Sequence, residues 1–339
     1  MRAALRKCVV AAFLLAGAMA AASADLPAYA ADTKQTTVSG LSAGAFMAVQ
    51  LQIAYSASIV GAGMVAGGPY YCAEGSVAFA FYCMGQVPLF PPGASNSVGF
   101  AKSFAASNEI DSLSHLKQRR IYVFSGTKDD VVFPAVADAT VEFFQRMGAT
   151  GTRLKYVHDV PAGHAFIAPA FGNDCGANAA PYISHCSVGG HDYDQAGEIL
   201  QHLYAKPALH APAAVPSRPV VAFDQRPFGS AAAAMADTGF LYAPQACEAA
   251  GSHCRIHVAL HGCAQSAESV GNRFTDDTGY NRWADSNRLL VLYPQVNRSD
   301  ANPQGCWDWW GYTGADYAYK SSPQMKAIMA MVRRLSQKP

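Results

Sequence analysis

The sequence predicts an α/β protein, a mostly parallel sheet flanked by helices. Three observations carry this. From residue 36 onward short apolar runs alternate with longer amphipathic stretches, the rhythm of strand–helix–strand units. The run at 59–66 (Ile-Val-Gly-Ala-Gly-Met-Val-Ala) is apolar without interruption, as a strand covered on both faces requires. Two further runs of the same kind recur in the last third of the chain, so one sheet is fed from both halves.

In chain order, residues 36–39 (Thr-Thr-Val-Ser) read as a strand and residues 45–54, apolar at helical spacing, as a helix. Strands follow at 59–66, at 121–124 and, after a helix near 135–147, at 154–157. Residues 206–219 are rich in Ala and Pro and resemble an interdomain linker. Only about 120 residues follow, however, and they hold strands at 255–260 and 289–293 and a closing helix near 323–335. A single domain over residues 25–339 is expected.

The chain has 339 residues, of which 51% are hydrophobic and only 14% charged. That excludes an intrinsically disordered chain. With a net charge of +1 and scattered basic residues, nothing invites nucleic acid. Residues 1–24 open with Arg2, Arg6 and Lys7, run apolar from Cys8 to Ala22, and end Ala-Ser-Ala, the pattern of a cleaved secretory signal. Fifteen apolar residues fall short of the roughly 20 that span a bilayer, so no membrane insertion is expected. Eight cysteines remain after that segment: Cys72, Cys83, Cys175, Cys186, Cys247, Cys254, Cys263 and Cys306. They allow 105 connectivities. Three pairs lie close in sequence, Cys72/Cys83, Cys175/Cys186 and Cys247/Cys254, which leaves Cys263 and Cys306 for a longer loop. No Cys-x-x-Cys spacing suggests a metal, so four disulfides in an oxidising compartment, medium or periplasm, are expected.

Gly40-Leu41-Ser42-Ala43-Gly44 is the only Gly-x-Ser-x-Gly in the chain. It falls between a predicted strand and a predicted helix, the setting of a nucleophile elbow. There the glycines permit a tight turn, Ser42 is exposed above the sheet edge, and the N–H of Ala43 can help hold an oxyanion. A serine needs a base, and the base needs an acid to orient it. In this fold the partners follow in the order Ser, Asp, His, each after a strand. Asp129 follows the 121–124 strand, favoured over Asp130 by its Gly-x-x-Asp-x-x-Val spacing, and His164 follows the 154–157 strand. The other histidines read as surface or hydrogen-bonding residues.

His261-Gly262-Cys263, after the 255–260 strand, fits the turn that supplies the second oxyanion N–H. That turn normally precedes the nucleophile in the chain; here it follows by about 220 residues. A circular permutation reconciles the order: the front half of the fold has moved to the back, and residues 207–219 contain the join between the old termini.

Together with Leu260-His261-Gly262-Cys263-Ala264-Gln265 and Cys306-Trp307-Asp308-Trp309-Trp310, the serine pentapeptide resembles the secreted poly(3-hydroxybutyrate) depolymerases, most closely their permuted single-domain fungal type. The resemblance covers nearly all of the chain beyond the signal. It implies an α/β-hydrolase fold, Ser42 as nucleophile with Asp129 and His164, and the Ala43 and Cys263 amides as oxyanion hole. The Cys263–Cys306 bond would draw Trp307 to the mouth of the site as a wall for an acyl or alkyl subsite; Trp309 and Trp310 are expected in the core. The expected substrate is a polyester or hydroxyalkanoate oligomer, hydrolysed without cofactor or metal by a monomer. An esterase for soluble acyl, acetyl or feruloyl esters and a non-catalytic polymer-binding protein are the alternatives. Adsorption to solid polymer would use aromatics among Tyr70, Tyr71, Phe79, Phe81, Tyr82 and Phe90, which core packing would claim equally well.

Overall fold

A computed structural model describes residues 24–87, 92–205, 207–249 and 251–339. The expected signal segment lies outside the described residues except for Ala24, and so does Phe90. Eight strands form the central sheet: β1 (Asp32–Leu41), β2 (Ile59–Val65), β3 (Arg120–Phe124), β4 (Leu154–Val157), β5 (Val221–Asp224), β6 (Thr238–Tyr242), β7 (Arg255–Leu260) and β8 (Leu289–Tyr293). Their order across the sheet is β5-β6-β8-β7-β1-β2-β3-β4. All pairings are parallel except those of β6 with β5 and β8, so β6 alone runs against the rest.

The main helices are α1 (Ala43–Ala54), α2 (Val77–Cys83), α3 (Ala94–Ala106), α4 (Pro134–Arg146), α5 (Gln195–Leu203), α6 (Tyr280–Asn287) and α7 (Pro323–Ser336). Side chains alternate across the sheet as the period of a strand requires. Val38, Met64, Val123, Val258 and Leu292 join α1, α3, α4 and α7 in one core. Leu41, Val65, Phe124, Ala259 and Val291 join α5 and α6 in the other. All twelve residues of α1 are buried, which follows from a helix apolar nearly all round.

Counted from β5, the sheet order reads 1-2-4-3-5-6-7-8. The turn after β7 then follows the third strand, and Ser42 follows the fifth. This is the arrangement expected of a permuted hydrolase. Two joints agree with it. Residues 207–220 run from α5 to β5 and are fastened along α6, with His210 N bonded to Asn287 Oδ1 and Ala213 N to the Arg282 carbonyl. The opposite joint is open but closely spaced: Tyr29 N and Ala31 N donate to the Leu335 carbonyl and Ala30 N to that of Gln337.

Strands β2, β3, β4, β7 and β8 agree with the sequence reading to within a residue, and β1 extends it at both ends. Sequence patterning did not indicate β5, β6, α2, α3, α5 or α6. Strands of four or five residues behind an Ala/Pro-rich run give little period to read, and β5 has two exposed residues. The cysteines pair as Cys72–Cys83, Cys175–Cys186, Cys247–Cys254 and Cys263–Cys306.

Candidate active site

Strand β1 ends at Leu41 and α1 begins at Ala43, so Ser42 alone turns the chain. It does so at φ 56° and ψ −122°, a conformation side chains rarely adopt and one that recurs where function demands it. The flanking glycines are required by contact. A Cβ on Gly40 would lie 2.3 Å from the Gly44 carbonyl carbon, and one on Gly44 would lie 2.4 Å from the Leu260 oxygen. Close approach of Gly44 to the end of β7 brings the His261–Cys263 turn beside the serine: a Cβ on Gly262 would sit 3.4 Å from Ser42 Cβ.

Asp129 and His164 meet beneath the same spot. His164 Nδ1 donates to Asp129 Oδ2 at 2.9 Å, and both side chains are almost wholly buried. The other carboxylate oxygen, Oδ1, accepts from the amides of Val131 at 3.0 Å and Val132 at 2.9 Å, which fixes its rotamer. The loops bearing the two residues are laced together. Thr127 N donates to the Val160 carbonyl, Lys128 N to that of Ala162, and a Cβ on Gly126 would strike the Ala162 oxygen at 2.1 Å. His164 is also held from behind, its amide donating to Asn178 Oδ1 and that of Gly163 to the carbonyl of disulfide-bonded Cys175. With Nδ1 a donor, Nε2 is left as the acceptor, the tautomer a general base needs.

Ser42 and His164 line one cavity of about 560 Å³, within the range of sites that hold a small organic ligand. Among the described residues neither the Ser42 hydroxyl nor His164 Nε2 has a hydrogen-bond partner. The amides of Ala43 and Cys263 likewise have no acceptor there, although their neighbours do: Gly262 N donates to Gln265 Oε1 and Ala264 N to the Gln304 carbonyl. Two unclaimed donors beside an unclaimed hydroxyl are suited to the oxygen of a tetrahedral ester intermediate. Much of the rest of the lining is apolar, with Phe46, Phe81, Met84, Val131 and Val132 among its residues.

The tryptophans depart from expectation. Trp307 does not line the cavity; it is fully buried and packs against His261, ring centroids 5.4 Å apart. Trp309 and Trp310 line it instead; Trp309, stacked on Phe46 at 4.1 Å, is also buried in the core as expected, whereas Trp310 is only partly buried. The cause lies between them. The buried Asp308 carboxylate accepts from the amides of Trp310, Gly311, Tyr312 and Thr313, curling the chain so that the later indoles form the wall. Burial raises the Asp308 pKa against those bonds.

The aromatic stretch divides. Tyr70 is core, its hydroxyl bonded to the Ala318 carbonyl, and Tyr71 packs among Phe100, Phe104 and Tyr317. Val77, Phe79 and Phe81 on α2 are exposed at 60%, 47% and 53%, with Val77 and Phe81 at the rim of the cavity. Tyr182, which sequence reasoning did not single out, also lines the cavity; its ring stands edge-on to His164 with centroids 6.1 Å apart. No spacing or motif marks it.

No protein-family model matches the chain. Two curated proteins are similar over most of it. A poly(3-hydroxybutyrate) depolymerase of Delftia acidovorans is 44% identical over 319 residues, covering 93% of this chain. The chain spans 62% of that relative's length. A polyhydroxybutyrate depolymerase of Talaromyces funiculosus is 36% identical over 337 residues, 94% of each protein. Among solved structures, a PHB depolymerase from Penicillium funiculosum superposes with a TM-score of 0.84 at 36% identity, covering 92% of this chain and 98% of that one. A PHB depolymerase with a serine-to-alanine substitution, complexed with an R3HB trimer, matches at the same TM-score and 35% identity.

Proposed function

Because the chain belongs to the poly(3-hydroxybutyrate) depolymerase family, we propose that it hydrolyses poly(3-hydroxybutyrate) or its oligomers through an acyl-enzyme on Ser42. The observation that carries this reading is that a strained serine, a histidine paired with Asp129 and the turn bearing the unclaimed Cys263 amide line one largely apolar cavity, with the unclaimed Ala43 amide next to that serine in the chain.

In the proposed mechanism the Ser42 hydroxyl attacks an ester carbonyl of the bound chain while His164 Nε2 takes its proton. Asp129 keeps Nδ1 protonated and stabilises the imidazolium. The carbonyl oxygen, now negative, receives the amides of Ala43 and Cys263. Collapse expels the alcohol end of the departing chain, protonated by His164. Water, deprotonated by the same imidazole, then releases the acid end and restores Ser42. The apolar wall of Phe46, Trp309 and Trp310 accepts methyl-bearing backbone without demanding hydrogen bonds, which suits a polyester having only carbonyl acceptors along its length.

The exposed apolar face of α2 beside the cavity supports direct adsorption to solid polymer by the catalytic domain. The leader read in residues 1–24 and the four disulfides support export. The test is release of soluble 3-hydroxybutyrate from amorphous granules by the purified protein and by Ser42→Ala. Release by the parent alone is expected; equal release by both overturns the reading. Clearing of granules set against turnover of short p-nitrophenyl esters separates a depolymerase from an esterase for soluble substrates.

A further inference from the structure

We propose that Gln265 is a positioning residue that couples the oxyanion turn to the wall beside the catalytic base, so that the amide of Cys263 and the imidazole of His164 keep their relative places. The proposal rests on the site read above. Gln265 is fully buried and lies two residues beyond Cys263. Its carboxamide is completely used. Oε1 accepts from the amide of Gly262 at 2.8 Å, within the turn. Nε2 donates to the carbonyls of Pro181 and Tyr182, each at 3.0 Å, more than 80 residues away in sequence. The Tyr182 carbonyl also accepts from the amide of Phe166, two residues past His164, and the Tyr182 ring stands against the imidazole. One side chain therefore joins the turn with the Cys263 amide to the Tyr182 wall, and through the Tyr182 carbonyl reaches the strand that continues from His164.

The turn needs such a tie. Its two ends are held elsewhere: Gly44 abuts the Leu260 and His261 carbonyls, and the Cys263–Cys306 bond and the Ala264-to-Gln304 hydrogen bond fasten the far side. None of these reaches the His164 segment. Tyr182 holds φ 56°, a strained value for a bulky residue, with its amide bonded to the Ala179 carbonyl and its own carbonyl to Gln265 and Phe166. An amide is the group that fits. It offers one acceptor to Gly262 and two protons to two carbonyls, whereas a carboxylate would meet both carbonyls with like partial charge.

The experiment compares the parent, Gln265→Met, Gln265→Glu and Ser42→Ala on p-nitrophenyl butyrate, below the melting temperature of each. Removing an oxyanion donor outright lowers kcat about 10²–10³-fold; displacing one by loss of its tie is expected to lower kcat on the order of 10–100-fold in Gln265→Met, with KM within about twofold. In Gln265→Glu the activity relative to parent is expected to rise as pH falls and the new carboxyl gains a proton to donate. A folded Gln265→Met with parental kcat, or a loss carried by KM, overturns the proposal. If Gln265→Met does not fold, a pH-independent ratio for Gln265→Glu overturns it. Activity retained by Ser42→Ala instead overturns the reading of the site itself.

Discussion

Replacing Gly44 by alanine tests whether the serine turn and the oxyanion turn are held at one fixed separation. The added Cβ would meet the Leu260 and His261 oxygens at 2.4 and 2.5 Å and the Leu260 carbon at 2.8 Å, all backbone, with no flexible side chain to yield. Contacts under 3.0 Å are essentially unknown for a real Cβ, so the end of β7 and the start of α1 must separate by at least about 0.6 Å. Overpacking of this kind costs about 1–3 kcal/mol of stability. The displacement moves the Cys263 amide away from Ser42, and a misplacement of about 1 Å can lower a rate 10²-fold, about 2.7 kcal/mol of transition-state stabilisation. Gly262→Ala is the matched control, since its Cβ would find Gln265 Oε1, the Leu41 oxygen and Ser42 Cβ all at 3.4 Å, ordinary contact. Steady-state kinetics on p-nitrophenyl butyrate, with circular dichroism to establish folding, are expected to show kcat reduced roughly 100-fold in Gly44→Ala and only a few-fold in Gly262→Ala. A folded Gly44→Ala with parental kcat, or the reverse ranking, refutes the argument.

Three further outcomes are expected. His257, wholly buried between the hydroxyls of Thr37 and Ser39, is held neutral by burial that pushes its pKa down to about 3, and His261 is pushed down to about 4 for the same reason. Both protonate near 6.5 when unfolded, so the stability they confer is full above that pH and declines below it by about 1.4 kcal/mol per pH unit per histidine; urea midpoints measured from pH 7 to pH 4.5 should fall, and less steeply in His257→Gln. Trp307→Ala should lose about 3–5 kcal/mol in urea unfolding, whereas Trp310→Ala, at the cavity wall, should keep most stability and raise KM for a hydroxybutyrate trimer; the opposite assignment would restore Trp307 to the subsite. Replacing Phe79, exposed on α2 and outside the cavity lining, by serine should reduce binding to polymer granules in a sedimentation assay while turnover of soluble esters stays within about twofold; unchanged binding would remove Phe79 from the adsorption face.

Much of this architecture could be read from residues alone because its strongest signals are local. A glycine-flanked serine between a strand and a helix, an aspartate and a histidine each just past an apolar run, and cysteines spaced for short loops all declare themselves within a dozen positions. What stayed hidden depends on contacts across the fold. Whether Trp307 or Trp309 faces the cavity is decided by where the Asp308 carboxylate gathers four amides, and the Cys-Trp-Asp-Trp-Trp string has no period to reveal it. Gln265 lies inside a recognisable motif, but its role depends on two carbonyls over 80 residues earlier. Tyr182 gives no local sign at all. The short strands β5 and β6 belong to the sheet because β8 offers an edge for β6 to pair with, not through apolar alternation of their own.

The order of the strands along the chain sets the order in which the middle of the sheet can close. Strand β1 pairs with β2, which follows it closely in the chain, but its other neighbour, β7, comes more than 200 residues later. Until then the middle of the sheet presents a bare edge, and loop closure over that span makes late pairing slow. Ser42 precedes Cys263 by more than 200 residues, so on the proposed mechanism the serine and one of its two oxyanion amides meet only after β7 has joined β1.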